Sequence, residues 1–450
     1  MKLPARSLAT VFAGALLSTS SWSRETVMVI GDSLSREYQF EFSNFPEARN
    51  WVELLAVHRP DDFHFGPLES TDLGLLADTC GLVSLGICDA IGEDGELDRY
   101  RYNWAIPTYS AEGYADDLSG SSFVEGLFQD FVDDDFNDVD SVVVFLGGND
   151  IDRVYSSVYN GNTSTTNRII RDITDDLESI VDFVLADTPD MRMILVNVPH
   201  VGATPEVKGS HPTDPLRTGR VTTALLSLDS ELRNLAARKN IGYADILTLT
   251  IELLSEEPYL IAGVPFLNRG SDTGAVDHMW LGGEISQNFH PNTVGQAVVA
   301  NAIVAAYNEK YALGATPFSD TEIVEDLLGL ETPLTAWARA AGLPADQRQP
   351  EDDPEGDGLN NLIEFALDLD PNLPSRLPTP HQDSGELIYE FRLNPDALDM
   401  ITVTPERSYD LNTWSPVDEG AISSLPGNRI QVRLSQSPIP EFLRLRVQQR

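Results

Sequence analysis

An α/β fold, a doubly wound sandwich with a parallel sheet followed by a small antiparallel β module, is predicted by two patterns in the chain. Across residues 26–311, short continuous apolar runs alternate with longer segments whose apolar residues recur every three or four positions. Continuous apolar strands are those buried on both faces, and amphipathic helices between them are the crossovers of a parallel sheet. Beyond residue 371 the apolar runs shorten, alternate with polar residues and are separated by turn formers. That pattern suits antiparallel strands with one solvated face.

The elements follow in order. Residues 26–30 (Thr-Val-Met-Val-Ile) form a first strand stopped by Gly31-Asp32, and residues 102–106 a second, halted by Pro107. Residues 141–146 end at Gly147-Gly148, residues 193–198 end at Pro199, and residues 241–246 form a weaker fifth strand. Between them Phe123, Leu127 and Phe131 recur at four-residue spacing, and Ile169, Ile173, Leu177, Ile180 and Val184 form an amphipathic stripe. Leu225, Leu228, Leu232 and Leu235 form another, and residues 294–311 an Ala-rich last helix. In such a sheet, ligands gather outside the carboxyl ends of the strands.

At 450 residues the chain is long enough for two or three units. Lys2 and Arg6 precede an apolar run at 8–17 and a small polar stretch at 18–23, the layout of a signal peptide with an apolar core too short to anchor. The expected division is a leader at 1–23, a catalytic domain at 24–314, a helical linker at 315–372 and a β-rich module at 373–450. Export to the periplasm or medium follows. Stable membrane insertion is not expected, because no later segment approaches a continuous apolar twenty-mer. With 71 acidic against 30 basic residues, the formal net charge of -41 repels phosphate backbones and argues against nucleic-acid binding. The two cysteines, Cys80 and Cys88, suggest a disulfide pinning one loop in an oxidising compartment, with two buried thiols as the alternative.

Three short blocks carry chemistry. Gly31-Asp32-Ser33-Leu34-Ser35 puts Ser33 at the end of the first strand, where it can attack a carbonyl if a base takes its proton. Gly147-Gly148-Asn149-Asp150 puts an amide donor, Asn149, at the end of the 141–146 strand, suited to a developing oxyanion. His290-Pro291-Asn292 opens the last helix, with Pro291 at its first position and His290 placed as general base. Each block alone is a common strand end or helix start.

Together, in this order, they resemble the SGNH/GDSL hydrolase superfamily across residues 25–311. Asn197-Val-Pro199 followed by Gly202-Ala-Thr-Pro205 resembles the loop after a later strand in that superfamily. The resemblance implies a flavodoxin-like three-layer sandwich and a secreted serine esterase or lipase that cleaves small neutral carboxylic esters through an acyl-enzyme. Ser33 would attack and His290 would accept its proton. The oxyanion would be held by the amide of Ser33, the side chain of Asn149 and a backbone N–H of the second block. No catalytic cofactor is implied. Carbohydrate acetylesterase and thioesterase activities share the mechanism, and a non-catalytic binding or adhesion protein is the alternative from another class.

Two positions depart from the superfamily's pattern. Where a glycine usually follows the second strand stands Thr108, and where the triad acid usually precedes the histidine stands Gln287. The ring could be oriented by the backbone carbonyl of Gln287 in a Ser-His dyad, by the Gln287 side chain, or by a displaced acid, Asp277 or Glu284. The dyad is the expected arrangement.

A further motif lies in the linker. Asp353, Glu355, Asp357, Asn361 and Glu364 occupy positions 1, 3, 5, 9 and 12 of a twelve-residue loop, with Gly358 at 6 and the Leu359 carbonyl at 7. That is EF-hand spacing for Ca2+, with helical patterns around residues 334–341 and 362–367. A single such loop resembles calcium-bearing segments of secreted bacterial proteins and implies a structural ion. The terminal β module, with Tyr409-Asp-Leu-Asn-Thr-Trp414, resembles small accessory domains of exported enzymes.

Overall fold

The structure, a computed structural model, describes residues 24–72, 96–121, 123–283, 287–435 and 441–449. The leader at 1–23, the Cys80–Cys88 pair and Glu284 lie outside the described residues.

The first ten strands are β1 (Glu25–Gly31), β2 (Phe63–His64), β3 (Leu68–Asp72), β4 (Glu96–Tyr100), β5 (Ser141–Phe145), β6 (Arg192–Val196), β7 (Gly242–Ala244), β8 (Tyr259–Ile261), β9 (Val264–Ser271) and β10 (His278–Leu281). A parallel sheet runs in the order β2-β1-β5-β6-β7. Its strands read as continuous apolar runs because each face has its own core. Met28, Ile30, Val142, Val144, Met193 and Leu195 point into one cluster, with the helices Gly148–Tyr159, Thr163–Asp187 and Pro215–Lys239. Val27, Val29, Val143, Phe145, Ile194 and Val196 point into the other, with the helices Trp51–His58 and Thr293–Tyr311. Most of the stripe on Thr163–Asp187 is covered: Ile173, Leu177, Ile180, Val181 and Val184 are each 0% exposed, worth about 1.5–3 kcal/mol per side chain, while Ile169 is half-buried.

One segment differs from expectation. Residues 102–106 lie along the edge of β1 without forming a strand. Val29 N donates to the Tyr102 carbonyl, Trp104 N to that of Val29 and Ile106 N to that of Gly31, each at 2.9 Å. The run is bent because Asn103 turns back, its N–H on the Tyr100 carbonyl and its side-chain oxygen on Ala105 N. Residues 259–281 add a small sheet of their own, in which β8 and β9 pair antiparallel and β9 and β10 parallel.

After the helix Pro333–Ala340 and the short helix Asn361–Ala366 comes a separate antiparallel region. Its strands are β11 (His381–Asp383), β12 (Glu386–Arg392), β13 (Ile401–Ser408), β14 (Ser415–Pro416), β15 (Ile422–Leu425), β16 (Arg429–Ser435) and β17 (Phe442–Gln449). They form two sheets, β11-β12-β16-β15 and β14-β13-β17, around Tyr389, Phe391, Val432 and Leu434. Among the described residues no helix is long and apolar enough to cross a membrane.

Candidate active site

β1 delivers Ser33 to the carboxyl edge of the sheet through a tight turn. The Asp32 carboxylate accepts from Leu34 N at 2.9 Å, and the Asp32 carbonyl accepts from Ser35 N and Arg36 N. Gly31 is required by close approach, since a Cβ there would lie 2.9 Å from the Ser35 side chain. The turn is braced from outside: Asn103 donates to the Ser35 carbonyl, Asn50 to the Arg36 carbonyl, and the Trp51 indole to Ser35 Oγ.

His290 reaches the same place from the other end of the chain. Its backbone N–H donates to the Gln287 carbonyl at 3.0 Å, and its own carbonyl accepts from Leu281 N at 3.0 Å, fixing it to β10. Asn292 is the residue that caps the helix Thr293–Tyr311, its side chain accepting from Thr293 N. Pro291 therefore precedes the helix rather than opening it, bridging to Trp280 instead. Its carbonyl accepts from the Tyr38 hydroxyl at 3.0 Å. The imidazole sits against the edge of Phe42, ring centres 4.8 Å apart. With these restraints His290 Nε2 lies 2.7 Å from Ser33 Oγ, across 257 residues of chain. Both residues are nearly buried, 8% and 5% exposed.

Asn149 sits in the first turn of the helix Gly148–Tyr159, positioned by Gly147, whose φ of 110° and 2.6 Å approach to Val198 exclude a Cβ. Its amide is already engaged. Nδ2 donates to the Tyr109 carbonyl at 2.8 Å and, more loosely, to Asp32 at 3.4 Å. Asp32 was not singled out by its sequence, yet it joins the two blocks, holding Leu34 N with one oxygen and facing Asn149 with the other. Burial, with Asp150 nearby, pushes its carboxyl up to about 7.

Thr108 adopts φ 67°, the left-handed conformation that a glycine would supply freely. The turn keeps its shape at a cost of about 1–2 kcal/mol, and the Thr108 carbonyl accepts from Arg153 at 3.4 Å. The Gln287 side chain pairs reciprocally with Asn44, at 3.1 and 2.9 Å, while its carbonyl takes the His290 backbone N–H. The Asp277 carboxylate is engaged by His278 Nδ1 at 2.8 Å and is half exposed.

The acidic loop is built differently. Asp353 accepts from the N–H groups of Gly356, Asp357 and Gly358, and Asp357 from those of Leu359 and Ser375. Gly356 and Gly358 take φ of 72° and 93° to make these turns. Oxygens of Asp353, Glu355 and Asp357 lie within 4.8 Å of one another. Glu364 and Asn361 are each 0% exposed, and the carboxylate oxygens of Glu355 and Glu364, with Asn361 Oδ1, are buried with no hydrogen-bond partner among the described residues beyond the Glu355–Glu364 contact itself. Asn361 is oriented by its own amide, which donates to the Gln347 and Gln349 carbonyls at 2.9 Å. Burial and the facing carboxylates of Glu355, Asp357 and Asp353 raise the Glu364 carboxyl. Such a donor set fits a hard divalent cation. Helices form at both flanking patterns, Pro333–Ala340 and Asn361–Ala366; the first ends well before the loop and the second begins within it.

Residues 27–303, more than half of the chain, match the model of the GDSL-like lipase/acylhydrolase family. No curated protein matches. Among solved structures the chain is similar to an extracellular lipase from Streptomyces rimosus, with 11% identity over 64% of this chain and 99% of that one, TM-score 0.35. It is similar also to a phospholipase A1 from Streptomyces albidoflavus, with 13% identity over 64% and 100%, TM-score 0.34. A third is an α/β-hydrolase enzyme from a Lake Arreo metagenome, with 17% identity over 63% and 95%, TM-score 0.30. The chain thus belongs to the GDSL-like lipase/acylhydrolase family and is a serine hydrolase of small ester substrates.

Proposed function

We propose that Ser33 is the nucleophile and His290 its general base, working as a dyad. The observation that supports this most is the 2.7 Å contact between Ser33 Oγ and His290 Nε2, a distance at which a proton can pass. As Oγ adds to the ester carbonyl, its proton moves to Nε2 and the carbonyl oxygen becomes an oxyanion. His290 then gives that proton to the departing alkoxide, leaving Ser33 acylated. A water surrenders a proton to His290, adds to the acyl carbon and releases the acid, while Ser33 regains its proton. The oxyanion is met by the backbone N–H groups of Ser33 and Thr108 and by the Asn149 amide, which turns to it from Asp32, the looser of its two partners.

The His290 ring is positioned by packing and by its main chain. Phe42, the Gln287 carbonyl under the backbone N–H and the Leu281 bond hold the residue from three sides. With the Gln287 amide given to Asn44 and the Asp277 carboxylate to His278, neither of these completes a triad; the other displaced acid, Glu284, lies outside the described residues. Chromogenic esters of varied chain length, run on wild type and Ser33→Ala, test the assignment. Hydrolysis should vanish in the variant; activity that survives the substitution would refute it.

The acidic loop is read as a structural calcium site, held by Asp353, Glu355, Asp357, the Leu359 carbonyl, Asn361 and Glu364. Bound there, the ion would neutralise carboxylates that otherwise repel one another, tying Glu364 on its helix to the loop before it. Export, indicated by the leader-like residues 1–23, would place the protein where calcium is plentiful. The region 373–450 is proposed as an accessory module.

A further inference from the structure

Asn361 and Glu364 belong both to the acidic loop and to the six-residue helix Asn361–Ala366. The two residues after Glu364, Phe365 and Ala366, are 0% and 1% exposed. They pack with Leu334 of the helix Pro333–Ala340 and with Ala397, Met400 and Ile401 of the β-rich region. The Trp337 ring lies 5.4 Å from that of Phe365. Polar contacts tie the short helix to the same region: the Ala366 carbonyl accepts from Asn394 N at 3.0 Å, and Asp368 just beyond pairs with Arg392 at 3.1 Å. The catalytic domain reaches this core at the turn between β8 and β9. Gly263 there has φ 75°, and a Cβ on it would lie 3.1 Å from that of Met400 and 3.3 Å from the Pro333 ring.

The short helix cannot stand by its own hydrogen bonds. Six residues are far below the length at which an isolated helix is stable in water, so its place depends on the apolar core and on the acidic loop. Without a cation the loop works against it. Glu364 is buried facing Glu355, with Asp353 and Asp357 near, and burial together with these charges raises its carboxyl. Either a proton is taken up or the helix moves away from the loop. With calcium bound that conflict is gone, and Glu364 and Asn361 are held to the loop. The catalytic core does not depend on this helix. Ile261 and Phe266 of the β8–β9 hairpin, with Ile323 and Val324 of the linker, belong to a cluster that includes neither Phe365 nor Met400.

We propose that calcium at 353–364 locks the β-rich region 373–450 onto the catalytic domain through the helix Asn361–Ala366, so that loss of the ion releases this region while the catalytic domain stays folded. The proposal rests on the loop being the calcium site. It is tested on the full chain by equilibrium dialysis of chelator-treated protein against CaCl2, by scanning calorimetry, and by limited proteolysis with mass mapping of the cuts. With calcium, unfolding should be a single transition and cleavage within 341–380 slow. After chelation that cleavage should quicken by at least about tenfold, since it follows the open population, and a separate, lower transition should appear. Coupling between two events is reciprocal, so Met400→Ala, which removes none of the groups that would hold the ion, should bind calcium at least about fivefold more weakly. Trp337→Ala serves the same purpose if Met400→Ala fails to fold. Calcium that binds without altering cleavage or melting, or that binds the folded variant as tightly as wild type, would overturn the lock and leave the calcium site standing. Absence of calcium binding to the wild type would remove the site and the lock with it.

Discussion

The crevice at Ser33 and the loop at 353–364 both gather carboxylates, and they treat them in opposite ways. Beside Ser33, Asp32 holds Leu34 N and faces the Asn149 amide, Glu53 accepts from the N–H groups of Tyr38 and Asn50, and Asp150 accepts from Ala111 N. In the loop, Glu355 and Glu364 face each other with no further hydrogen-bond partner among the described residues, and Asn361 Oδ1 has none there either. A buried acid costs stability unless it is paired or neutralised. The crevice is thus organised by the chain itself, whereas the loop, in the reading proposed above, takes an ion from outside. Chemistry in the first region should therefore answer to side chains, and stability in the second to solution calcium.

The largest effect should come from His290→Ala, which removes the base. Loss of a base in a serine hydrolase lowers kcat by about 10⁶-fold, and steady-state kinetics on a chromogenic ester would show it. Asn149→Ala should cost about 10²–10³-fold in kcat, with KM little changed, if its amide serves the oxyanion; a change in KM alone would make it a binding residue. In the second region the readout is thermal. Calcium at a hundred times its Kd, added back to chelator-treated protein, should stabilise it by about 2.7 kcal/mol, and Glu364→Gln should abolish most of that gain. A melting curve indifferent to calcium would leave the loop an acidic linker. The smallest effect is expected from Gln287→Ala. Because its carbonyl survives the substitution, kcat should fall less than about tenfold, far short of what loss of the base costs. A collapse equal to that of His290→Ala would return the amide to the orienting role.

Much of this was legible in the chain because burial on both faces leaves an unbroken trace. The runs at 26–30, 141–146 and 193–198 became β1, β5 and β6 within a residue or two, since apolar side chains are needed on both faces. Ser33 and Asn149 could be picked out because each follows the end of such a strand, and His290 because it stands just before the start of a helix. What was less legible depends on long-range pairing. The strands β8 to β10 carry mixed residues, and their partners are set by contacts among themselves and with His290. The roles of Asp32 and Phe42 also escaped notice, because an acid or a phenylalanine in a loop has no periodicity to mark it. Thr108 is the instructive middle case. The missing glycine was visible, but only the structure shows that the threonine adopts the glycine's backbone conformation.

The most direct measurement is covalent labelling with a fluorophosphonate, followed by mass mapping of the modified residue. The account predicts stoichiometric modification of Ser33, none in Ser33→Ala, and a greatly slowed reaction in His290→Ala. Modification of a different serine, or labelling that persists when Ser33 is replaced, would contradict it.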